Sequence, residues 1–164
     1  MISEDLVEDA WMEVGAMPPA KAERAMQRVA KKQRDLIAFV AAYSEDLSES
    51  AAELAFYMFF TIHRMFEKAA GGKLQRIRGG RVERCLDQNE QLLGRLDGAH
   101  EKFIERVAMV ESSRQPFVMR YLVETLMEAP DGEDPVDLTE EEIGVLFLVL
   151  KTLIDVLDQS LKRD

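Results

Sequence analysis

Apolar side chains recur every three or four positions along most of this 164-residue chain, and no other feature constrains its fold as strongly. That spacing stacks residues on one face of a helix, whereas a half-buried strand needs strict alternation, which is absent. Ala22, Met26, Val29, Gln33, Leu36, Val40 and Tyr43 step by four and three in turn, with Gln33 the single polar member. Val82, Leu86, Asn89, Leu93, Leu96, His100, Phe103, Val107 and Val110 follow the same rule. Two other stretches, around residues 51–62 and 143–157, are apolar nearly all round, as expected of helices in the middle of a bundle.

Six helices follow from these patterns and their punctuation. The first covers residues 4–14, with Ser3 as N-cap and Leu6, Ala10, Trp11 and Val14 as its apolar face. The second runs from the Pro18-Pro19 pair to Tyr43 as one continuous rod. The third spans residues 50–70; Ser50 and Glu53 match a capping box, and Gly71-Gly72 stop it. The fourth covers residues 81–111. The fifth covers residues 114–128, with Pro116 in its first turn. The sixth opens on a second capping box, Thr139 with Glu142, and runs to Leu161. The expected fold is all-α: a helical bundle of four long helices with two shorter flanking ones, in a single domain over residues 1–164.

Composition narrows the function. Hydrophobic residues make up 47% of the chain, enough for a real core despite 32% charged residues. Neither long apolar run approaches the roughly 20 residues that span a bilayer, so no membrane is expected. The net charge of −10 repels nucleic acid, and no aromatics interleave the bases, so nucleic acid is disfavoured as a partner. Cys85 is the only cysteine, which excludes an intrachain disulfide and a cysteine-based zinc site. The acidic start lacks the order of a signal peptide, and the expectation is a reduced, cytoplasmic protein.

No phosphate loop, nucleophile elbow, zinc-protease motif or dinucleotide fingerprint occurs, so an enzyme is the less favoured reading and no cofactor is expected. Carboxylate chemistry survives these exclusions. Di-iron bundles use inward carboxylates with two Glu-x-x-His pairs, and here Asp97 precedes His100 by three residues while Phe60 stands three before His63. The metal ligands to test are His100, Asp97, His63, Glu90 and Glu53, although a buried histidine bonded to a carbonyl or carboxylate is the plainer reading. The stretch 131–142 places Asp131, Glu133 and Glu142 like an EF-hand, but Pro135 and Val136 stand at a ligand and the glycine position. An acidic, solvated loop accounts for it more simply.

Charge is segregated along the chain. Lys21, Arg24, Arg28, Lys31 and Lys32 fall on one side of the second helix, and Lys73, Arg76, Arg78, Arg81 and Arg84 form another basic stretch. Residues 121–150 hold nine acids and no base, and residues 1–13 hold five acids. Such faces are usually solvated or complementary within the fold. Beyond that, they suit a partner protein or a homo-oligomer, so the leading expectation is a non-enzymatic interaction module. A carboxylate–histidine metal bundle, with oxidative chemistry as one use, is the alternative.

Overall fold

The computed structural model describes residues 1–94, 114–129 and 136–161. Among these residues there are seven α-helices and no strand: α1 (Glu4–Gly15), α2 (Pro19–Lys32), α3 (Arg34–Ser44), α4 (Glu49–Ala69), α5 (Gly79–Gly94), α6 (Pro116–Glu128) and α7 (Glu140–Ser160). The all-α expectation holds, but the arrangement of four long and two short helices does not. The expected second helix is two helices, broken at Gln33. The expected fourth helix is described only to Gly94, so Leu96, His100, Phe103, Val107 and Val110 of its stripe lie outside the described residues.

Side chains at the helix starts explain where the chain turns. Ser3 Oγ accepts from the Leu6 N–H at 3.2 Å, satisfying one of the unpaired donors of α1. Thr139 and Glu142 close the expected capping box on α7, each side chain accepting from the other residue's backbone N–H at 3.1 Å. At α4 the cap differs from expectation. Ser48, not Ser50, is the N-cap and accepts from the Ala51 N–H at 3.2 Å. The choice between two serines is made from outside, because Glu142 Oε2 accepts from the Ser48 N–H at 3.0 Å and ties the start of α4 to the start of α7. At the other end of α4, Gly71 and Gly72 adopt positive φ of 63° and 80°, which only glycine does without strain.

The two 21-residue helices, α4 and α7, form the centre. They pack on one another; α4 also meets α1, α3 and α6, while α7 meets α3, α5 and α6. Phe59, Ile62, Met65 and Phe66 of α4 and Phe147, Leu150 and Leu153 of α7 are buried. A single apolar cluster extends from Ile2 to Leu157 and draws on all seven helices. Helix α2 is the outlier, leaning chiefly on α3 through buried Ala25 and Val29.

The break at Gln33 needs neither glycine nor proline. Its backbone sits at φ −116°, ψ 55°, outside the helical region. Its side chain is fully buried and bonded to the link that follows α4: Oε1 accepts from the Ile77 N–H at 2.9 Å and Nε2 donates to the Gln75 carbonyl at 2.9 Å. That link has no helical partners of its own, and buried backbone groups must be satisfied somewhere. Gln33 satisfies them, and the rod bends to bring it there.

Candidate functional site

Three of the five metal-ligand candidates, His63, Glu53 and Glu90, lie among the described residues. His63 is buried, whereas Glu53 and Glu90 are exposed. His100 and Asp97 lie outside the described residues, as do Asp131, Glu133 and Pro135 of the EF-hand-like stretch. Glu142 is already engaged by Thr139 and Ser48. Among the described residues no group of three or more His, Cys, Asp or Glu side chains is placed to hold a metal ion.

His63 instead belongs to the Gln33 hub. Its Nε2 lies 3.4 Å from Gln33 Nε2. The Gln33 amide is oriented by its Ile77 and Gln75 bonds, so its NH2 faces the imidazole as a donor, and His63 Nε2 accepts. The ring proton then sits on Nδ1, a buried atom without a hydrogen-bond partner among the described residues. Burial pushes the imidazole down to about 4, with Glu67 opposing that shift.

A second polar cluster joins α5, α6 and α7. Lys151 is buried inside the most apolar stretch of α7, and its Nζ donates to Asn89 Oδ1 at 2.7 Å and to Asp155 Oδ2 at 2.9 Å. Asn89 Nδ2 in turn donates to Thr152 Oγ1 and Asp155 Oδ2, both at 3.0 Å. Nearby, Gln115 Nε2 donates to Asp158 Oδ1 at 2.9 Å while its Oε1 accepts from the Ile2 N–H at 3.0 Å. These groups line an open cavity of about 450 Å³. They bond chiefly to one another, so the cluster sets the register of α5 and α6 on α7. Replacing Lys151 with methionine keeps the volume, leaves Asn89 Oδ1 without its donor and takes the cation from Asp155, which keeps only its Asn89 bond. Because Asp155 reaches water, the expected loss is about 2 kcal/mol of unfolding free energy, read from the urea midpoint.

The surface carries a groove of different character. Helices α1 and α6 lie side by side, and the Ile2–Gln115 and Glu4–Arg120 contacts advance along both in the same direction. Between them Glu4, Val7, Glu8 and Trp11 from one helix face Phe117, Arg120, Tyr121, Glu124, Thr125 and Glu128 from the other, around about 310 Å³. The spacing on each helix is three and four, so each presents one continuous stripe. The sequence places Trp11 on one apolar face with Leu6, Ala10 and Val14. Trp11 is 45% exposed, because the buried face of α1 is centred on Val7, Ala10 and Val14 and leaves the indole at its edge.

One occupied position shows what this groove holds. The Arg120 guanidinium lies 5.0 Å over the Phe117 ring and 3.0 Å from Glu4 Oε1. An aromatic face and a carboxylate together hold that cation. Further along stand Trp11, Glu8, Glu124 and Glu128, and none of these three carboxylates is in a salt bridge among the described residues. Glu13, on the other side of α1, is by contrast neutralised internally. Arg64 grips it at 2.9 and 3.0 Å, with Lys68 at 3.3 Å, and the Arg64 bond holds its carboxyl below the usual range.

The complementary surface is on α2. Lys21, Arg24, Arg28, Lys31 and Lys32 are all exposed, and among the described residues none of them is in a salt bridge. Sequence reasoning singled out this basic side. It missed the groove, because Trp11 reads as part of the apolar face of α1, and it missed Lys151, Asp155 and Gln115. A lysine in the middle of an apolar run, with Asn89 on the stripe of another helix, was the available signal for the buried cluster.

Compared with models of known families, with curated proteins and with solved structures, the chain matches none. Among the described residues, no helix is long and apolar enough to cross a membrane.

Proposed function

We propose that this chain is a protein-interaction module whose α1–α6 groove takes a basic amphipathic helix. The observation that carries this is Arg120, seated between Phe117 and Glu4, next to an indole and three carboxylates that offer the same chemistry without a base. A partner helix with Lys or Arg every three or four residues places its cations along this line. The ring of Trp11 supplies apolar area at little conformational cost. Charges on such a rim steer encounter and select partners, and the contact weakens as salt screens it.

Trp11 is the only tryptophan, so its fluorescence reports directly on the groove. Titration with a designed Lys/Arg-rich amphipathic peptide at low ionic strength is expected to shift the Trp11 emission to the blue. Binding should weaken roughly tenfold by physiological salt. An acidic peptide of the same apolar pattern is expected to leave the emission unchanged. Should the basic peptide leave it unchanged as well in a chain that sedimentation shows to be monomeric, the groove is not a recognition surface.

A further inference from the structure

We infer that the helix this groove takes is α2 of a second copy of the chain, the two copies pairing reciprocally. The inference rests on the groove reading above and adds the identity of the occupant. Charge is its first support. Among the described residues, the groove presents Glu8, Glu124 and Glu128 without internal partners, and α2 presents Lys21, Arg24, Arg28 and Lys31 likewise. Neither set finds the other within one molecule, since α2 packs chiefly on α3 while the groove lies between α1 and α6.

Length is the second support. At the rise of an α-helix, the stripe from Lys21 to Lys31 extends about 15 Å, and the α6 wall from Phe117 to Glu128 extends about 16 Å. The bases step by three and four, as do Glu124 and Glu128 on α6 and Glu8 and Trp11 on α1, so cations meet carboxylates and the indole in the part of the groove beyond Arg120. The geometry at Arg120 supplies the pattern for each: a guanidinium over an aromatic ring with a carboxylate at its edge, here Arg24 or Arg28 against Trp11. One such contact is repeated by symmetry when each copy lends its α2 to the other, which closes a dimer.

Charge reversal tests this directly. Lys21→Glu/Arg24→Glu/Arg28→Glu gives a chain with acidic α2 and acidic groove; Glu8→Lys/Glu124→Lys/Glu128→Lys gives one with both basic. All six positions are exposed, so circular dichroism of each variant is expected to keep the helical signal of the parent. Sedimentation at low salt is expected to show the parent as a dimer, each variant alone as a monomer, and an equal mixture of the two as a heterodimer, because both contacts are restored together. Raising the salt is expected to weaken the parent dimer roughly tenfold. A parent that stays monomeric at every concentration at low salt overturns the inference, as does a dimer that either reversal leaves intact. So does a monomer whose α2 stripe shifts duplex DNA in a gel. If the Trp11 response to the designed basic peptide persists in a monomeric parent, the second-copy inference alone has failed. If that response is absent too, the groove reading falls with it.

Discussion

Gln33→Ala is expected to lower the unfolding free energy by about 3 kcal/mol, as much as truncating a large apolar core residue. The residue is fully buried, so its removal leaves a cavity at the α2–α3 break. It also leaves the Ile77 N–H, itself buried, without an acceptor, and the Gln75 carbonyl and His63 Nε2 without a donor. Gln75 is exposed and its carbonyl finds water; Ile77 does not. Two substitutions separate the contributions. Gln33→Leu refills the volume but not the bonds, and is expected to recover only part of the loss, remaining about 1–2 kcal/mol below the parent. Urea midpoints at constant slope measure both. If Gln33→Leu equals the parent, the hydrogen bonds to the 74–77 link contribute nothing and the break at Gln33 has another cause.

The same residue shows what a sequence can and cannot disclose. Its place on the apolar stripe was visible, because period alone puts Gln33 between Val29 and Leu36, and all three are buried. The break was not visible. Lys31-Lys32-Gln33-Arg34 contains no glycine, proline or turn residue, and local propensity favours an unbroken helix. What bends the chain there is a backbone 42 and 44 residues further on, and no local pattern encodes that. The α4 cap repeats the lesson. Local rules favour Ser50, which has Glu53 three residues on, and Glu142, from another helix, bonds the Ser48 N–H instead. Where the signal is wholly local, as for Ser3 and for Thr139 with Glu142, the boundary was legible. The groove was hidden for a related reason. A tryptophan among apolar neighbours reads as core, and a shift of the buried face by about one residue turns it outward, a phase that only packing against α4 and α6 fixes.

Inside and outside, this fold uses polar groups differently. Gln33, Asn89, Gln115 and Lys151 are buried and bonded to partners far along the chain, so each specifies how one helix sits on another. Among the described residues, Glu8, Glu124 and Glu128 of the groove and the α2 bases make no such internal bonds. Their side chains link no helices among the described residues, and in the proposed pairing they act between copies of the chain.

The hub at Gln33 also makes stability depend on pH in a range where carboxylates do not yet contribute. Burial holds the His63 imidazole at about 4, against an ordinary 6.5. The Gln33 NH2 that faces it is a donor and cannot accept from a protonated ring. Between pH 6.5 and 4 the unfolded chain therefore binds a proton at this histidine that the folded chain does not. The unfolded state gains by that binding, so the His63 contribution is complete above pH 6.5 and is lost as pH falls towards 4, where it levels off. A shift of that size corresponds to about 3 kcal/mol in all, of which about 2 kcal/mol is lost by pH 5. The paired carboxyls of Glu13 and Glu142, held below their ordinary 4.5 by Arg64 and by the Ser48 and Thr139 backbone bonds, add their own loss only below that value. Among the described residues, His63 is thus the group whose shift acts in the window from 6.5 to 5. His63→Leu removes the titrating ring while Gln33 keeps its bonds to Gln75 and Ile77. Its urea midpoint is expected to stay flat across that window while the parent's falls, with the two chains close to each other at pH 7. Parallel curves would mean that the ring gains its proton in the folded state as readily as in the unfolded one, and that the hub tolerates a charge at its centre.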